Sequence, residues 1–477
     1  MSPRGRWCRN IHVESLEPRV LLSSYVLSTL GVFAANTTGS GPIGGVTLDA
    51  SGDLYGTAQS GGASGDGTVV EVVHGSRTIT TLAFFNGANG RGPEGGLVLD
   101  GSADLYGTTF LGGGSDDGTI FEIARGSGTI TTVASFNFTT NGDRPAGALV
   151  LDGSGNLYGT TESGSADGRA GTVFELPAGS GTITTLASFN GTNGSYPQDG
   201  VVLDSSGNLY GTTTYGGTSG DGTVFEIAHG SGTITTLASF NGTNGRNPDA
   251  LILDGSGDLY GATLLGGPAG PYDGDGTIFE IAAGTGTITT LASFNGTNGN
   301  GPDSVVLDGS GNLYGTTAVG GTGNFGTVFE LPAGSGAITT LASFNRINGS
   351  SPYTIVLDGS GSLYGATAGG GDANGDGTVF ELSPVQPRLP GDADDDGKVD
   401  FADLVILARN YGKNGAVWED GDFNGDGNVG FDDLVILARN YGKTTPAAVT
   451  AAALSPSITL QPSDDSPRLT RTVRHRH

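Results

Sequence analysis

Cysteine and lysine are nearly missing from this chain of 477 residues. The single cysteine, Cys8, excludes an internal disulfide framework. Only three lysines occur, Lys398, Lys413 and Lys443, all in one C-terminal segment. The net charge is -27, which excludes duplex nucleic acid and anionic membrane surfaces as natural partners. No apolar run approaches the roughly 18 residues of a membrane helix, so no membrane span is expected. Helical periodicity is also absent from residues 25–383. What the chain has instead is glycine, 89 residues of it. Collagen would place glycine at every third position, and no such period exists. Aromatic and β-branched residues recur between the glycines, so a core can form.

The recurrence has a period. Leu-Tyr-Gly places Tyr55, Tyr106, Tyr158, Tyr210, Tyr260, Tyr314 and Tyr364 at steps of 51, 52, 52, 50, 54 and 50 residues. Each unit reads like Leu251-Ile252-Leu253-Asp254, a turn, Leu259-Tyr260-Gly261, a second turn, Gly276-Thr277-Ile278-Phe279-Glu280-Ile281, a third turn, then Ile288 to Phe294. The apolar stretches are four to seven residues long, rich in Val, Ile, Thr, Tyr and Phe, and bounded by turn residues. They read as four strands per unit. Four short antiparallel strands per unit is the blade of a β-propeller.

Strand counting predicts how the ring closes. Three strand types occur seven times, but the Thr-Leu-Ala-Ser-Phe type occurs six times, ending at Phe85, Phe136, Phe189, Phe240, Phe294 and Phe344. After Glu381-Leu382 no fourth strand follows. The N-terminal run Leu27 to Phe33 matches the missing type and is expected to complete the seventh blade, protecting two sheet edges. The expected fold is therefore mainly β: a seven-bladed propeller over 25–383, closed by its N-terminal strand. An open β-solenoid is the alternative, but calcium-binding β-rolls repeat every nine residues or so.

The unit Leu-Asp-Gly-Ser-Gly-Asn-Leu-Tyr-Gly-Thr-Thr, followed by Gly-Thr-Val-Phe-Glu-Leu, resembles the bacterial GloVer (Gloeobacter–Verrucomicrobium) tandem repeat across residues 25–383. That family carries no established activity to transfer. The Asp-x-x-Gly-Asn-Leu-Tyr segment is also similar to NHL-type propeller repeats, which mostly bind partners. Within 1–24, Leu16-Glu17-Pro18-Arg19-Val20-Leu21-Leu22 resembles the LEPR-x-LL motif of large planctomycete exported proteins. It implies an extracellular or cell-surface location. A signal peptide over Val20 to Ala35 is the competing reading, and its cleavage would remove the closing strand. Residues 446–477, rich in Ala, Thr, Ser and Pro, read as a disordered tail.

After a Pro-rich linker (384–390), residues 391–445 carry the strongest chemical signal. Asp403 to Lys413 recurs unchanged as Asp433 to Lys443, each copy behind an acidic loop. Oxygen ligands at loop positions one, three and five, glycine at six, a carbonyl at seven and an acid at twelve suit Ca²⁺. The expected ligands are Asp392, Asp394, Asp396, the Lys398 carbonyl, Asp400 and Asp403 in the first loop. In the second they are Asp422, Asn424, Asp426, the Asn428 carbonyl and Asp433, giving two calcium ions in all. A helix follows each loop, and Pro384, Pro387 and Pro390 forbid one before the first. Two loop–helix halves of this EF-hand-like kind resemble a type I dockerin. The resemblance implies docking into a cohesin-like receptor, often in polysaccharide catabolism. The familiar Ser-Thr recognition pair is replaced by Phe401-Ala402 and Phe431-Asp432.

No catalytic residue is expected. His74 and His229 occupy the same turn of different blades, where other blades carry Ala or Arg. The acids Glu71, Glu122, Glu175, Glu226, Glu280, Glu330 and Glu381 occur once per blade, as do Asp49, Asp100, Asp152, Asp204, Asp254, Asp308 and Asp358. Catalysis needs two acids with different environments, so these suggest turn capping or inter-blade hydrogen bonds. Glu94, Glu162 and Asp199 break the pattern, but nothing in the sequence singles them out. Asp372 to Gly377 begins like a calcium loop and reads better as a hairpin turn. The expectation is a monomeric, exported, non-catalytic protein whose propeller binds a glycan or a protein. The alternatives are a polysaccharide-degrading glycosidase and a structural surface component.

Overall fold

A computed structural model describes residues 25–164, 170–268, 270, 274–385 and 388–444. The export motif, Cys8 and the C-terminal tail lie outside the described residues. Twenty-eight strands form seven four-stranded antiparallel sheets. Blades 1 to 6 each use four consecutive strands, and blade 7 takes its outermost strand from the N-terminus. Tyr25–Val32 pairs with Thr378–Pro384, beside Leu363–Gly369 and Ser350–Leu357. The predicted closure is what the fold shows.

The repeat residues explain themselves through packing. In the third strand of blade 4, Thr223–Ile227, the burial alternation fails because both faces are covered, leaving Val224 and Phe225 wholly buried. The glycine of Leu-Tyr-Gly sits across from that phenylalanine: Gly211 pairs with Phe225, and a Cβ on Gly211 would lie 2.6 Å from the ring. The same glycine faces a phenylalanine in blades 2 to 7, so the motif is a steric fit.

Neighbouring blades are joined by phenylalanines. The residue after each outermost strand packs edge-on against the third-strand phenylalanine of the next blade. Phe85–Phe121, Phe136–Phe174, Phe189–Phe225, Phe240–Phe279 and Phe294–Phe329 all have ring centroids 5.0 Å apart. Phe344–Phe380 makes the sixth joint at 5.1 Å. Each such pair is worth roughly 0.5–1.5 kcal/mol beyond its buried area. The seventh joint is different. Blade 1 carries Val70 where the others carry phenylalanine, and Phe33, from the N-terminal strand, packs there among Val46, Val70 and Ile79.

Beyond the propeller, two short helices, α1 (Phe401–Asn410) and α2 (Phe431–Asn440), each follow an acidic loop. Their shared core is small: Ala393, Val399, Leu407, Ala416, Phe423, Val429 and Leu437 are buried. The loops exchange partners. The Val399 amide donates to the Lys443 carbonyl, and the Val429 amide donates to the Lys413 carbonyl, so each loop is pinned to the end of the other loop's helix. Among the described residues, no helix is long and apolar enough to cross a membrane.

Candidate functional site

The repeated acids are consumed by the fold. In each blade the once-per-repeat aspartate accepts the backbone amides two and four residues on. Asp204, for example, takes Ser206 and Asn208 at 2.8 Å. These are turn caps at one end of the propeller. The repeated glutamates stay within their blades. The Tyr210 hydroxyl donates to Glu226 at 3.3 Å, and Tyr158 to Glu175 at 3.2 Å. The sequence left inter-blade bonding open, and the cross-strand pairing of Tyr210 with Glu226 gives the intra-blade answer. Burial and the adjacent carboxylates push the Tyr210 hydroxyl up to about 12. His74 and His229 take part through their backbone amides, which donate to Asp53 and Asn208. Asp372 accepts Asn374 and Gly375 amides in a tight turn.

The acids that break the repeat gather at the other end. There, in each blade, a residue in the left-handed region stands directly before a proline, ahead of the inner strand or at its start. The ring runs Gly41, Gly92, Arg144, Tyr196, Asn247, Gly301 and Ser351, with φ between 50° and 67° throughout. Four of the seven are not glycine, at a conformation that disfavours side chains. A second ring lies just inside it. Thr160, Thr212 and Thr316 donate to the carbonyls of Asp199, Asp249 and Tyr353, which marks these as equivalent positions. Completed by the repeat, this inner ring reads Gly44, Gly95, Gly147, Asp199, Asp249, Asp303, Tyr353. On the glycine side the blades close tightly: a Cβ on Gly44 would lie 2.6 Å from the Gly95 carbonyl, and one on Gly95 2.6 Å from that of Gly147. On the other side three carboxyl groups from adjacent blades line the axis.

Those three acids are half-buried, and among the described residues no ion pair to any of them is found. Asp249 hydrogen-bonds Asp303. Loss of water contact, with the Asp249 carboxylate adding to it, pushes Asp199 up to about 7. Asp303 is raised to about 7 by the same desolvation, and Asp249 is raised as well. Toward the rim, Gln59 donates to Glu94 at 2.5 Å and Gln198 donates to Glu162 at 3.0 Å. Desolvation also raises Glu94.

The C-terminal loops hold the predicted metal ligands, and their placement differs residue by residue. Carboxylate oxygens of Asp392, Asp394 and Asp403 lie within 4.8 Å of one another. Asp392 is 2% exposed, and its Oδ1 has no hydrogen-bond partner, while Oδ2 accepts the Gly397 amide at 2.9 Å. Burial, with Asp403 and Asp395 nearby, pushes the Asp392 carboxyl up. Asp403 is fully buried, takes the Ala393 amide on one oxygen and the Asp400 amide on the other, and so ties the loop to α1. Asp396 accepts the Lys398 amide, and Asp400 caps α1 by accepting the Ala402 amide. In the second loop, Asp433 repeats the role of Asp403, with Phe423 and Gly430 as donors. Asp422 is satisfied on both oxygens by the Gly425, Asp426 and Gly427 amides. Asn424 donates to Asp426, which accepts the Asn428 amide. The donors are oxygen throughout, as a hard divalent cation requires. The orphaned Asp392 oxygen fits such an ion.

Solved structures similar to the chain share its propeller. The extracellular domain of the B. thetaiotaomicron protein BT4673, described as a hybrid two-component system, matches 76% of this chain at 12% identity, with a TM-score of 0.50. The chain spans 40% of the length of that extracellular domain. The WD40 β-propeller domain of Doa1 matches at 13% identity and a TM-score of 0.51, over 76% of this chain and 97% of that one. No curated protein matches the chain. The model of the Gloeobacter/Verrucomicrobia repeat matches twice, over residues 20–218 and 199–424. Together the two matches span most of the sequence, and the chain belongs to the Gloeobacter/Verrucomicrobia repeat family.

Proposed function

We propose that the chain is an exported or surface-displayed, non-catalytic binding protein. Its propeller is the binding platform, and a dockerin-like module that folds around two Ca²⁺ ions presents that platform to a cohesin-like receptor. The observation that carries the calcium reading is the convergence of Asp392, Asp394 and Asp403 around an unpartnered, buried carboxylate oxygen. The module has only seven buried apolar side chains, and domains so small usually need metal or disulfide support. Its first loop holds Asp392, Asp394, Asp395 and Asp396 close together, so ions there relieve repulsion as well as complete a shell. An extracellular setting agrees with that of the BT4673 domain. The non-catalytic reading is supported by the structural use of the fourteen repeated acids, which removes them from the pool of acid–base pairs.

Calorimetric titration of the full chain with Ca²⁺ tests this. Two ions per chain are expected, and Asp392→Ala should leave one. The second loop should bind more weakly, because Asp422 is already satisfied and Asn424 replaces a carboxylate. A stoichiometry near zero rejects the calcium-dependent module.

A further inference from the structure

We infer that the rim of the propeller over blades 2 to 4 is a binding site for a neutral, polyhydroxylated ligand, an oligosaccharide of uncharged sugars. This rests on the binding-platform reading and names its face and its ligand.

The face is identified by where the repeat fails. The turns at one end are near-copies, each built on the same capped aspartate. Side chains that differ from blade to blade collect at the opposite end, on the ring of left-handed residues and beside it. The arc over blades 2 to 4 is the most altered. Tyr196, at φ 56°, stands where three blades carry glycine. Its ring packs edge-on against Tyr215 with centroids 5.8 Å apart, and the two residues are 37% and 42% exposed. At the equivalents of Tyr215 the other blades carry Ser60, Leu111, Ser163, Leu265, Val319 and Gly369, so the pair occurs once. Next to it, Thr214 donates to the Gln198 side-chain oxygen at 3.0 Å, and the Gln198 amide donates to Glu162 at 3.0 Å. Arg144 lies over the Phe110 ring at 5.6 Å on the blade 3 side.

The chemistry selects the ligand. Holding a large side chain in the left-handed region costs energy that the fold does not recover in core packing, since both rings stand half in water. The Gln198–Glu162 pair uses one amide hydrogen and one carboxylate oxygen. The second Gln198 amide hydrogen, on an exposed residue, remains as a donor, and the Glu162 carboxylate and Thr214 hydroxyl keep lone pairs as acceptors. A sugar hydroxyl both accepts and donates, so it suits both kinds of group. An anion meets Glu94, Glu162 and Asp199. A cation is drawn by those same acids but cannot accept from the amide, and Arg144 lies on the same arc. Tyrosine rings beside such a pair offer an apolar surface with a polar edge, which suits the C–H face of a pyranose.

The test is affinity electrophoresis of the full chain in calcium, through gels containing dextran, β-glucan or galactomannan, with acidic alginate as the charged control. At least one neutral polymer should retard the chain, and alginate should not. Tyr196→Ala and Tyr215→Ala should each weaken that retardation at least tenfold with melting temperature unchanged. Gln198→Ala, which leaves the aromatic pair intact, should weaken it as well. Ser154→Ala, in a turn at the opposite end, should have no effect. Retardation by alginate alone, or by none of the polymers, overturns the ligand class. Retardation by a neutral polymer that all three rim variants leave untouched overturns the face, yet keeps the propeller as a binding platform. The calcium titration reads the module separately.

Discussion

Gly211 shows how much of this repeat is steric. A methyl group there would lie 2.6 Å from the Phe225 ring, which is itself wholly buried. Gly211→Ala should therefore cost roughly 1–3 kcal/mol, the range for overpacking a core. Gly255→Ala, where nothing lies within 4 Å of the added carbon, should stay near neutral. Thermal melting of the two variants checks this, and equal melting temperatures would refute the packing account. The axial aspartates give a second prediction. A carboxyl whose pKa rises on folding keeps its proton where the unfolded chain has lost it, so its contribution is full below about pH 4 and fades as pH rises through about 7. Asp303→Asn should raise the melting temperature at pH 8 relative to the parent and leave it nearly unchanged at pH 4. A parallel shift at both values would show that these acids do not titrate in that window. The sequence displays Asp199 as irregular but hides its ring. Val201 lies four residues after its proline, while Leu251 and Val305 lie three after theirs, so alignment by the proline slips the three aspartates out of register.

The blades were legible as elements because their strands are short, β-branched and punctuated by glycine. Their number, order and closure could all be counted. What counting could not show was the exception at the closing joint, where Phe33 meets Val70 in place of a ring–ring contact. That joint is the one of the seven without a ring–ring contact, and it depends on a strand from the far end of the chain. Deleting residues 1–35 should leave Thr378–Pro384 as a bare edge, lower the melting temperature, and promote aggregation visible by light scattering. Unchanged melting and solubility would mean the ring holds without it. The loop–helix halves were equally legible in outline, and Asp396 and Asp400, expected as ligands, each also accept a backbone amide on one carboxylate oxygen. Which carboxylates stay open depends on the turn, and that is fixed only when the loops pair across the module.

At the scale of the whole molecule, two units with cores of different size share one chain. The propeller is held by seven blade joints, while the module relies on a small core and its acidic loops. Calcium should therefore move one transition only. Scanning calorimetry in EDTA should lose or lower a small transition from residues 391–444 and leave the main one in place. A main transition displaced by EDTA would place calcium in the propeller instead.

The strand Tyr25–Val32 also sets a clock. It is among the first parts of the propeller to be made, and its partner, Thr378–Pro384, is the last. At ~5–20 residues per second, the ring cannot shut until ~20–70 s after its first strand appears. Through that interval the early blades can form one by one while the circle stays open. A chain drawn across a membrane during synthesis would still be threadable, and would lock only on the far side.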